Sequence, residues 1–541
     1  MTPQPTLAPF SNRAFRELWV ASQISNLGGL IQMVGAAWLM AGLTNSHGMV
    51  ALVQSSNTLP IMAFSLLSGA LADSYDRRRI MLVAQGFMFT VSCLLAAVAW
   101  TGVLTPWLLL SFTFLIGCGM ALYNPSWQAS VGDIVPREQV SGAVGLNSMG
   151  FNLMRSVGPA IGGAIVAVAG AAAAFLANAA SYVFLLVALF RWSGAPARPA
   201  LPREDLGRAL GAGLRYMAMS PSILKVMGRS ALFGFAASAL MALLPLYAKD
   251  TLSGSALLYG LLLGCFGLGA IGGVLVNARL RVLLGNENVT RAAFAGFALA
   301  VEVLAFLPHL AAVVPALLLA GSCWVLALSL FNTAVQLSTP RWVVGRAMSI
   351  YQTATFGGMS LGAWVWGHLS DTHGIGFALA LAGLVLAIGA LAGRLLRLSE
   401  FEDLDLTPLG LLTAAEPRLD LRARSGPVFI MVDYAIAQDD TDAFLALMRE
   451  RRRIRLRDGA QRWALLRDLE RPEIWSEKYY VPTWVDYTRH LSRRTKADVA
   501  LQEAIRALHR GAEPPRVTRK IERQTVPEHD DAPPLPPADL A

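Results

Sequence analysis

Charged residues and cysteines are scarce in this sequence of 541 residues. Only 15% of the residues are charged, whereas 55% are apolar, and this balance excludes an ordinary soluble protein over most of the chain. All four cysteines lie inside apolar runs, where a thiol serves as small apolar filler. The cysteines therefore indicate no disulfide framework, and the sequence predicts no metal site.

Long apolar runs dominate what is present. Each extends over about 20 residues, which is enough to cross roughly 30 Å of hydrocarbon. We expect the first run to be a span that is not cleaved, because it lacks the flanks of a signal peptide. The sequence thus predicts an all-α membrane protein with twelve spans. They lie near residues 15–42, 49–72, 80–102, 106–130, 141–168, 172–191, 222–248, 256–278, 291–308, 314–338, 347–369 and 375–393.

Polar segments divide the chain into halves, linkers and a terminal domain. The C-terminal region alternates between strand and helix patterns, which predicts a small α+β domain. The expected divisions are an N-terminal six-helix half (1–192), a linker (193–221), a C-terminal six-helix half (222–397), a second linker (398–426), the α+β domain (427–525) and a disordered tail (526–541).

Basic residues are distributed unevenly between the two ends of the expected spans. Loops on the side of the N-terminus carry Arg77–Arg79 and most other arginines, whereas the opposite loops carry only Lys249. Because short basic loops stay in the cytoplasm, we expect both termini, the linkers and the α+β domain to be cytoplasmic.

The two halves repeat each other in sequence. Asn124 and Gln128, at the end of span 4, match Asn332 and Gln336 at the end of span 10 with identical spacing. Repeats in the same orientation predict a pseudo-twofold axis along the membrane normal.

A charged loop between spans 2 and 3 carries the clearest motif. It reads "GALADSYDRRR" over residues 69–79, and span 5 contains "GPAIGG" over 158–163. With the twelve spans and their duplication, these motifs resemble the major facilitator superfamily. Within it, the "NPSWQASVGDIVP" segment (124–136) and the terminal domain resemble the transmembrane secretion effector branch, which contains the enterobactin exporter. Ser74 and Asp76 depart from the superfamily's loop pattern.

The resemblance implies a fold and a function. The fold is two six-helix repeats, followed by a ferredoxin-like domain similar to the dimeric α/β-barrel group of antibiotic-biosynthesis monooxygenases. The implied function is secondary active export of small amphipathic molecules, siderophore- or drug-like, across a bacterial inner membrane. Proton antiport by alternating access is the expected mechanism, since no Walker-type nucleotide loop is present. Span 4, however, lacks the arginine to which related antiporters assign proton coupling.

The resemblance also sets the expected partners and leaves two alternatives open. The partners are a small-molecule substrate and the lipid bilayer, with no nucleic acid and no cofactor, and the terminal domain is expected to self-associate. We predict no enzymatic activity and no catalytic residues. The alternatives are a solute importer on the same fold, and a membrane-tethered enzyme or sensor acting through the terminal domain, where Trp463 and His490 either line a pocket or fill the core.

The loop motif implies a gate. By resemblance, Asp73 is the gate carboxylate and faces the positive N-terminal end of span 11, where such a contact contributes about 0.3–1 kcal/mol. Asp76 pairs either with its neighbouring arginines or with basic groups across the cleft. The alternative is that the arginines only set the orientation of the chain. The residues assigned to this gating loop are Gly69, Asp73, Asp76, Arg77 and Arg78.

Span 5 holds the family's antiporter signature and an unusual charge. The signature glycines remove side-chain bulk and are expected to let span 8 approach closely. Arg155 lies near mid-depth, where an unpaired charge costs roughly 2.5–3.5 kcal/mol. It therefore either attracts an anionic substrate, senses a nearby acid, or is structural. The span-5 signature residues are Arg155, Gly158, Pro159, Gly162 and Gly163.

Two further sets of residues complete the predicted site. Glu302, an acid deep within span 9, either carries a proton together with Arg155 or makes a polar contact. Aromatic and amide side chains on spans 1, 4, 7 and 10 suit a bulky amphipathic ligand, although each is also open to a packing role. The residues nominated for the cavity are Gln23, Asn26, Gln32, Tyr123, Asn124, Phe233, Trp324 and Asn332.

Overall fold

The computed structural model describes residues 7–136, 139–193, 206–340, 342–394, 396–397, 419, 421, 425–493 and 495–522. These residues form two compact units. The first unit combines the described parts of Met1–Leu206, Ser222–Val335 and Met348–Glu400, and the second combines those of Gly207–Pro221, Gln336–Ala347 and Phe401–Ala541.

Long helices account for most of the described chain. In chain order the helices are α1 (Arg13–Leu43), α2 (His47–Ser74), α3 (Arg77–Trp100), α4 (Pro106–Ile134), α5 (Val140–Arg191), α6 (Leu206–Ala218), α7 (Pro221–Leu246), α8 (Ala256–Phe306), α9 (Leu310–Leu337), α10 (Val344–His373), α11 (Ile375–Ala392), α12 (Thr441–Arg457), α13 (Trp484–Ser492) and α14 (Lys496–Ala507). The strands are β1 (Val428–Ala435), β2 (Gln461–Arg467), β3 (Ile474–Val481) and β4 (Arg516–Ile521).

The described part of the first unit is built from helices that suit a membrane. Eight helices in the described residues are long and apolar enough to span one. Two of these, α5 and α8, have 52 and 51 residues, or about 75 Å at the helical rise, which is more than twice the thickness of the hydrocarbon. Each is interrupted by a glycine in the left-handed region, Gly170 at φ 78° and Gly285 at φ 76°. Both are therefore pairs of helices joined at a glycine that lacks the steric penalty of a Cβ.

Side-chain caps explain where several of these helices begin. The Ser46 hydroxyl accepts a hydrogen bond from Met49 N–H at the start of α2, and Asp76 accepts one from Arg78 N–H at the start of α3. Such caps satisfy amide groups that have no partner within the helix. Thr105 caps α4 in the same way, with Pro106 in its first turn, where proline loses no helical hydrogen bond.

Small and apolar side chains fill the core of the first unit, together with a buried amide cluster. In that cluster Gln32 accepts hydrogen bonds from Ser92 Oγ (3.0 Å) and from Asn178 Nδ2, and Asn178 also lies 3.2 Å from Tyr182 Oη. The cluster joins α1, α3 and α5. Because each buried polar group here has a partner, it avoids the cost of an unsatisfied donor or acceptor.

The second unit contains a small sheet, as predicted. Its strands lie in the order β2-β3-β1-β4, and all neighbours are antiparallel. Alternate residues of β1 are buried, which is the pattern of a strand with one face on a core. Phe444 and Met448 of α12, Tyr487 of α13 and Ile505 of α14 pack against that face.

Candidate functional site

Helices α2 and α10 run antiparallel and contact each other along their length. Ser55 Oγ donates to the carbonyl of Ser360 over 2.8 Å, and Thr58 Oγ1 lies 2.6 Å from Ser360 Oγ. Further along, Ser65 Oγ lies 2.7 Å from Thr353 Oγ1. Small hydroxyl side chains let two helices approach closely and give them hydrogen bonds that form without large desolvated charges. This pair joins an early helix of the first unit to a late one.

A carboxylate closes one end of the α2–α10 pair. Asp371, near the end of α10, accepts hydrogen bonds from His47 N–H (2.5 Å) and Gly48 N–H (2.9 Å) at the start of α2, and from Ser46 Oγ (3.1 Å). Free amide groups and the positive end of the helix dipole make a helix N-terminus a site for a negative charge. Asp371 thus ties two helices whose contacting residues are more than 320 positions apart.

A histidine extends this contact to a third helix. His47 Nδ1 lies 2.8 Å from Ser370 Oγ, and its Nε2 lies 4.0 Å from Asp250 Oδ2 in the short turn after α7. The neighbouring Lys249 donates to the carbonyl of Ala41 at the end of α1. We call Ser46, His47, Gly48, Asp250, Ser370 and Asp371 the Asp371 cluster.

The predicted gating loop lies at the opposite end of α2. Gly69 approaches α10 closely, since a Cβ built there would lie 2.9 Å from Ser349 Oγ. The backbone of Asp73 belongs to the last turn of α2, but its side chain lies outside the described residues, so its gate role stays a prediction. Asp76 contacts its own loop: it caps α3 and its Oδ2 lies 3.6 Å from Arg79 Nε.

The loop arginines bind the ends of α4 and α5. Arg77 Nη1 donates to Asp133 Oδ2 over 2.7 Å and to the carbonyl of Ala129 over 2.9 Å, both on α4. Arg78 donates to the carbonyls of Leu189 (2.8 Å) and Phe190 (2.9 Å) at the end of α5. A cation at the C-terminal end of a helix satisfies free carbonyls and favours the dipole. These contacts anchor the loop to the ends of α4 and α5.

Sequence reasoning missed the Asp371 cluster, although a signal was present. The end of α2 reads "GALADS" from Gly69, and the end of α10 reads "GHLSDT" from Gly367. Both have glycine, leucine, an acid and a hydroxyl residue at the same spacing. Because α2 and α10 are antiparallel, the two segments lie at opposite ends of the pair, each beside the start of the other helix. Comparing the ends of spans 2 and 11 finds this likeness.

The span-5 signature glycines meet two different helices: Gly163 lies against α8, as expected, whereas Gly158 and Gly162 lie against α1. A Cβ built on Gly163 would lie 2.7 Å from the carbonyl oxygen of Ala256 and 2.9 Å from Gly260 Cα. At such distances only glycine fits without a shift of backbone. Gly158 and Gly162 instead lie against Leu30 and Ile31 of α1. Pro159 lies inside α5 beside these glycines, and its carbonyl faces Gly260.

Arg155 extends from α5 toward aromatic rings on α8 and α9. Its guanidinium carbon lies 5.4 Å from the ring centre of Trp324 and 5.8 Å from that of Phe266, within cation–π range. In the described part of the chain no acid pairs with it. The indole N–H of Trp324 is buried and has no hydrogen-bond partner among those residues.

An aromatic cluster surrounds Trp324. Its rings lie 5.0–6.5 Å apart, mostly tilted or edge-to-face, as aromatic side chains prefer. Phe233 is 0% exposed at its centre, so in this conformation it contacts other rings. The members are Phe233, Phe266, Phe294, Phe297, Trp324 and Phe331.

The other nominated residues are scattered over the first unit. Gln23 is buried against Gly150 of α5, and Tyr123 is buried with its hydroxyl 3.5 Å from Ser22 Oγ. Gln32 belongs to the buried amide cluster. Asn26, Asn124 and Asn332 are half-buried. The structure brings Trp324 and Phe233 together, and it does not bring Gln32 to them, so a common cavity for all eight stays a prediction.

Two acids of α8 have different surroundings. Glu302, in the second part of α8, packs beside Gly383 of α11. Glu287 forms a buried ion pair that sequence reasoning missed, with its Oε2 2.5 Å from Arg229 Nη1 of α7. Arg229 is 2% exposed, and a buried charge of this kind needs such a partner.

The core of the α+β domain contains a fully buried carboxylate. Glu477 accepts hydrogen bonds from Arg455 Nε (3.0 Å), Trp463 Nε1 (3.1 Å) and Tyr434 Oη (3.2 Å). Burial raises the pKa of Glu477, but the charges of Arg455 and Arg451 outweigh this and lower it to about 2. His490 also lies 3.2 Å from Arg455.

Trp463 and His490 therefore contact this ionic core, which agrees with the alternative that they fill the core of the domain. Among the residues that the structure describes, no group of acids, histidines and cysteines has the arrangement of a metal site.

The helical unit defines the class of this protein, and comparison with a solved structure agrees. The crystal structure of a bacterial homologue of the human lysosomal transporter Spinster aligns with a TM-score of 0.58 at 13% identity, covering 73% of this chain and 97% of that one. The fold is that of a major facilitator transporter. Residues 4–526 match the model of the transmembrane secretion effector family, and the chain belongs to this family.

Several relatives of the chain are named transporters or efflux pumps. The chain is 28% identical to the enterobactin exporter EntS of Escherichia coli O1:K1 / APEC over 69% of its length and 91% of that protein's. It is 24% identical to the multidrug efflux pump Tap of Mycobacterium tuberculosis H37Rv over 72% and 94%. A staphyloferrin A transporter of Staphylococcus aureus NCTC 8325 is 33% identical over 30% of this chain and 41% of that protein.

These findings confirm the predicted class. The family and its relatives are transporters and not enzymes, and the apolar helices make the chain a multi-pass membrane protein. Siderophore and drug exporters are among its relatives.

Proposed function

We propose that this protein is a secondary active exporter that moves small amphipathic molecules outward by alternating access. The observation that carries the proposal is the antiparallel α2–α10 pair, which joins the two halves through hydroxyl contacts and is closed at one end by Asp371. The contacts of Asp371 lie between exposed polar groups, which break at low cost, so this end of the pair can open while the other stays closed.

The proposal includes twelve spans in two repeats. Dividing α5 at Gly170 and α8 at Gly285 leaves segments short enough for one crossing each. With both termini in the cytoplasm, as the basic loops favour, the Asp371 cluster lies at the outer surface and the gating loop at the inner one. By resemblance, the predicted gate residue Asp73 is then the inner counterpart of Asp371.

The proposed substrate is aromatic and carries a negative charge. Arg155 supplies a cation that contacts aromatic rings, and the Trp324 N–H supplies a buried donor beside it. A carboxylate or acidic phenol would satisfy both groups, since a charge-assisted hydrogen bond to arginine is among the strongest available. The aromatic cluster around Trp324 provides the apolar contact area that such ligands need.

Proton antiport is the proposed energy source. His47 and Asp250 supply ionisable groups at the proposed outer surface, and Glu302 supplies an acid within a membrane-spanning helix. The relatives that are named exporters support outward transport, and the lack of a nucleotide-binding loop supports a gradient as the driving force.

Inverted membrane vesicles test the function. We expect vesicles containing the protein to accumulate fluorescein, an anionic aromatic probe, when their interior is acidic, and to lose it when nigericin collapses the pH gradient. Arg155→Gln should lower the initial rate at least about tenfold, equivalent to about 1.4 kcal/mol of lost interaction, whereas Arg155→Lys should retain part of it. Ethidium, a cationic probe, serves as the comparison and should depend less on Arg155.

The results that contradict the proposal are distinct. Accumulation that is equal with and without the gradient would overturn proton antiport. Faster uptake of fluorescein by intact cells that express the protein would favour the importer. Equal losses of fluorescein and ethidium transport in Arg155→Gln would overturn the assignment of Arg155 to the anionic group.

A further inference from the structure

The second unit joins the α+β domain to two other parts of the chain. These are residues 207–221, which include most of α6 and lead into α7, and residues 336–347, which connect α9 to α10. We infer that the α+β domain is a docked partner of these two segments and holds them together through a stack in which two aromatic rings lie between two arginines.

The stack contains four side chains. Arg493 of the domain lies with its guanidinium carbon 4.1 Å from the ring centre of Trp342, and Arg457 of the domain lies 5.2 Å from that of Tyr216. The two rings meet edge to face at 5.8 Å. The order is therefore Arg457, Tyr216, Trp342, Arg493, with one ring from each segment in the middle and one cation of the domain at each end.

The domain positions both cations. Arg457 Nε donates to Asp458 Oδ1 over 2.9 Å, and its Nη2 lies 3.4 Å from Asp498 Oδ1. Arg493 Nη1 donates to the carbonyl of Asp458 over 2.9 Å. Arginines held in this way lose little side-chain freedom on meeting the rings, so the surface is preorganised for them.

Burial strengthens these contacts. Tyr216 is 2% exposed and Arg493 is 8% exposed, and cation–π contacts are stronger when water is excluded. Burial raises the pKa of Tyr216 to about 12 although Arg457 opposes this, so the ring faces its arginine as a neutral phenol. The contact buries Tyr216 of one segment beside Trp342 of the other, 126 positions away in the sequence.

The position of the two segments gives the contact a consequence. Residues 207–221 connect the two proposed six-helix halves, and residues 336–347 connect α9 to α10. Helix α10 pairs with α2, and the proposed gates lie at the two ends of α2. If alternating access operates as proposed above, these segments move when the inner side opens, and the docked domain opposes that movement. This consequence rests on the proposed function, whereas the docking itself does not.

A cleavage experiment tests the docking in the full chain. A site for a specific protease is inserted at about residue 410, and the purified protein is cut and passed over a size-exclusion column. We expect the fragment that begins after the cut to stay with the membrane fragment in the parent protein. The variant Trp342→Ala/Arg493→Ala should release at least tenfold more of it.

Matched variants exclude general damage. Arg510→Ala removes an arginine of the same domain that pairs with Asp440 at the surface, and it should release no more than the parent. Tyr216→Phe keeps the ring and should retain the fragment, whereas Tyr216→Ala should release it. Release of the fragment from the cut parent protein would overturn the docking. Equal retention of the fragment by Tyr216→Ala, Trp342→Ala/Arg493→Ala and Arg510→Ala would overturn it as well.

A second measurement separates the consequence from the docking. With the chain uncut, Trp342→Ala/Arg493→Ala should change the initial rate of fluorescein accumulation at least threefold relative to Arg510→Ala. An equal rate in the two variants, with release of the fragment after cutting, would overturn the effect on the gate and leave the docking supported. Absence of transport by the parent would instead contradict the proposed function.

Discussion

Replacement of Asp371 is expected to open one end of the α2–α10 pair. Asp371→Ala removes the acceptor for the amides of His47 and Gly48 and for the hydroxyl of Ser46. The start of α2 should not unravel, because Ser46 itself caps the helix through Met49 N–H. The change therefore acts on the contact between the two helices.

The size of the effect follows from these three hydrogen bonds. Bonds to a charged acceptor are worth about 1.5–3 kcal/mol each when water is excluded. Asp371 is exposed, so water replaces much of what is lost when the contact opens. The loss of a cap, about 0.5–2 kcal/mol, is the better guide. We expect about 1–2 kcal/mol, which is a factor of roughly 5–30 in the ratio of open to closed molecules.

Distances between spin labels measure this ratio. Labels are placed at Asn45 and Ser253, both exposed near the Asp371 cluster, after the native cysteines have been replaced by alanine. Asp371→Ala should raise the long-distance fraction, and Asp371→Asn should raise it less because one acceptor remains. Thr372→Ala is the control, since that hydroxyl bonds only to carbonyls of its own helix and to His373 among the described residues. Identical distance distributions for Asp371→Ala and Thr372→Ala would refute the reasoning.

Three further predictions concern stability, each read by unfolding of the purified protein. The pKa of Glu477 is about 2 when folded and 4.5 when unperturbed, so its stabilisation is complete above about pH 5 and is lost as the pH falls toward 2. Glu477→Gln should destabilise the α+β domain by about 3 kcal/mol and weaken the acid dependence of unfolding followed by tryptophan fluorescence. An unchanged acid dependence would contradict the ionic core. Gly163→Ala should lower the melting temperature because its Cβ would lie 2.7 Å from the carbonyl oxygen of Ala256. Gly29→Ala is the control and should raise the melting temperature slightly, because no atom lies within 4 Å of its Cβ. Equal shifts in the two variants would argue against close packing. Arg229→Ala should cost about 3–5 kcal/mol by leaving Glu287 without its buried partner, and a cost below about 1 kcal/mol would show that the pair is hydrated.

The Asp371 cluster shows where sequence reasoning stopped. The loop motif predicts a gate at Asp73 because it resembles a known family, whereas the carboxylate that the structure describes at a helix start is Asp371. Composition and periodicity report whether a segment is apolar and helical, which depends on its own residues. They carry no information on which helix end meets which carboxylate, because that depends on how separate helices pack.

The nominated cavity residues make the same point. Residue type marked Gln32, Phe233 and Trp324 as polar or aromatic positions in apolar spans. Gln32 bonds to Ser92 between α1 and α3, whereas Trp324 of α9 meets Arg155 of α5. The face of the helix on which each residue lies, and the neighbour that covers it, decide between packing and a site.

The sequence by itself determined the membrane class, the helical runs, the small terminal sheet and the superfamily, because these follow from apolar length, strand and helix periodicity and local motifs. Only the tertiary structure decided that Asp371 meets the start of α2, that Arg155 lies beside Trp324, and that Tyr216 and Trp342 meet between two arginines of the terminal domain. Each of these contacts joins residues more than 120 positions apart. They arise when preformed elements pack, and their energies depend on burial and distance that no single segment specifies.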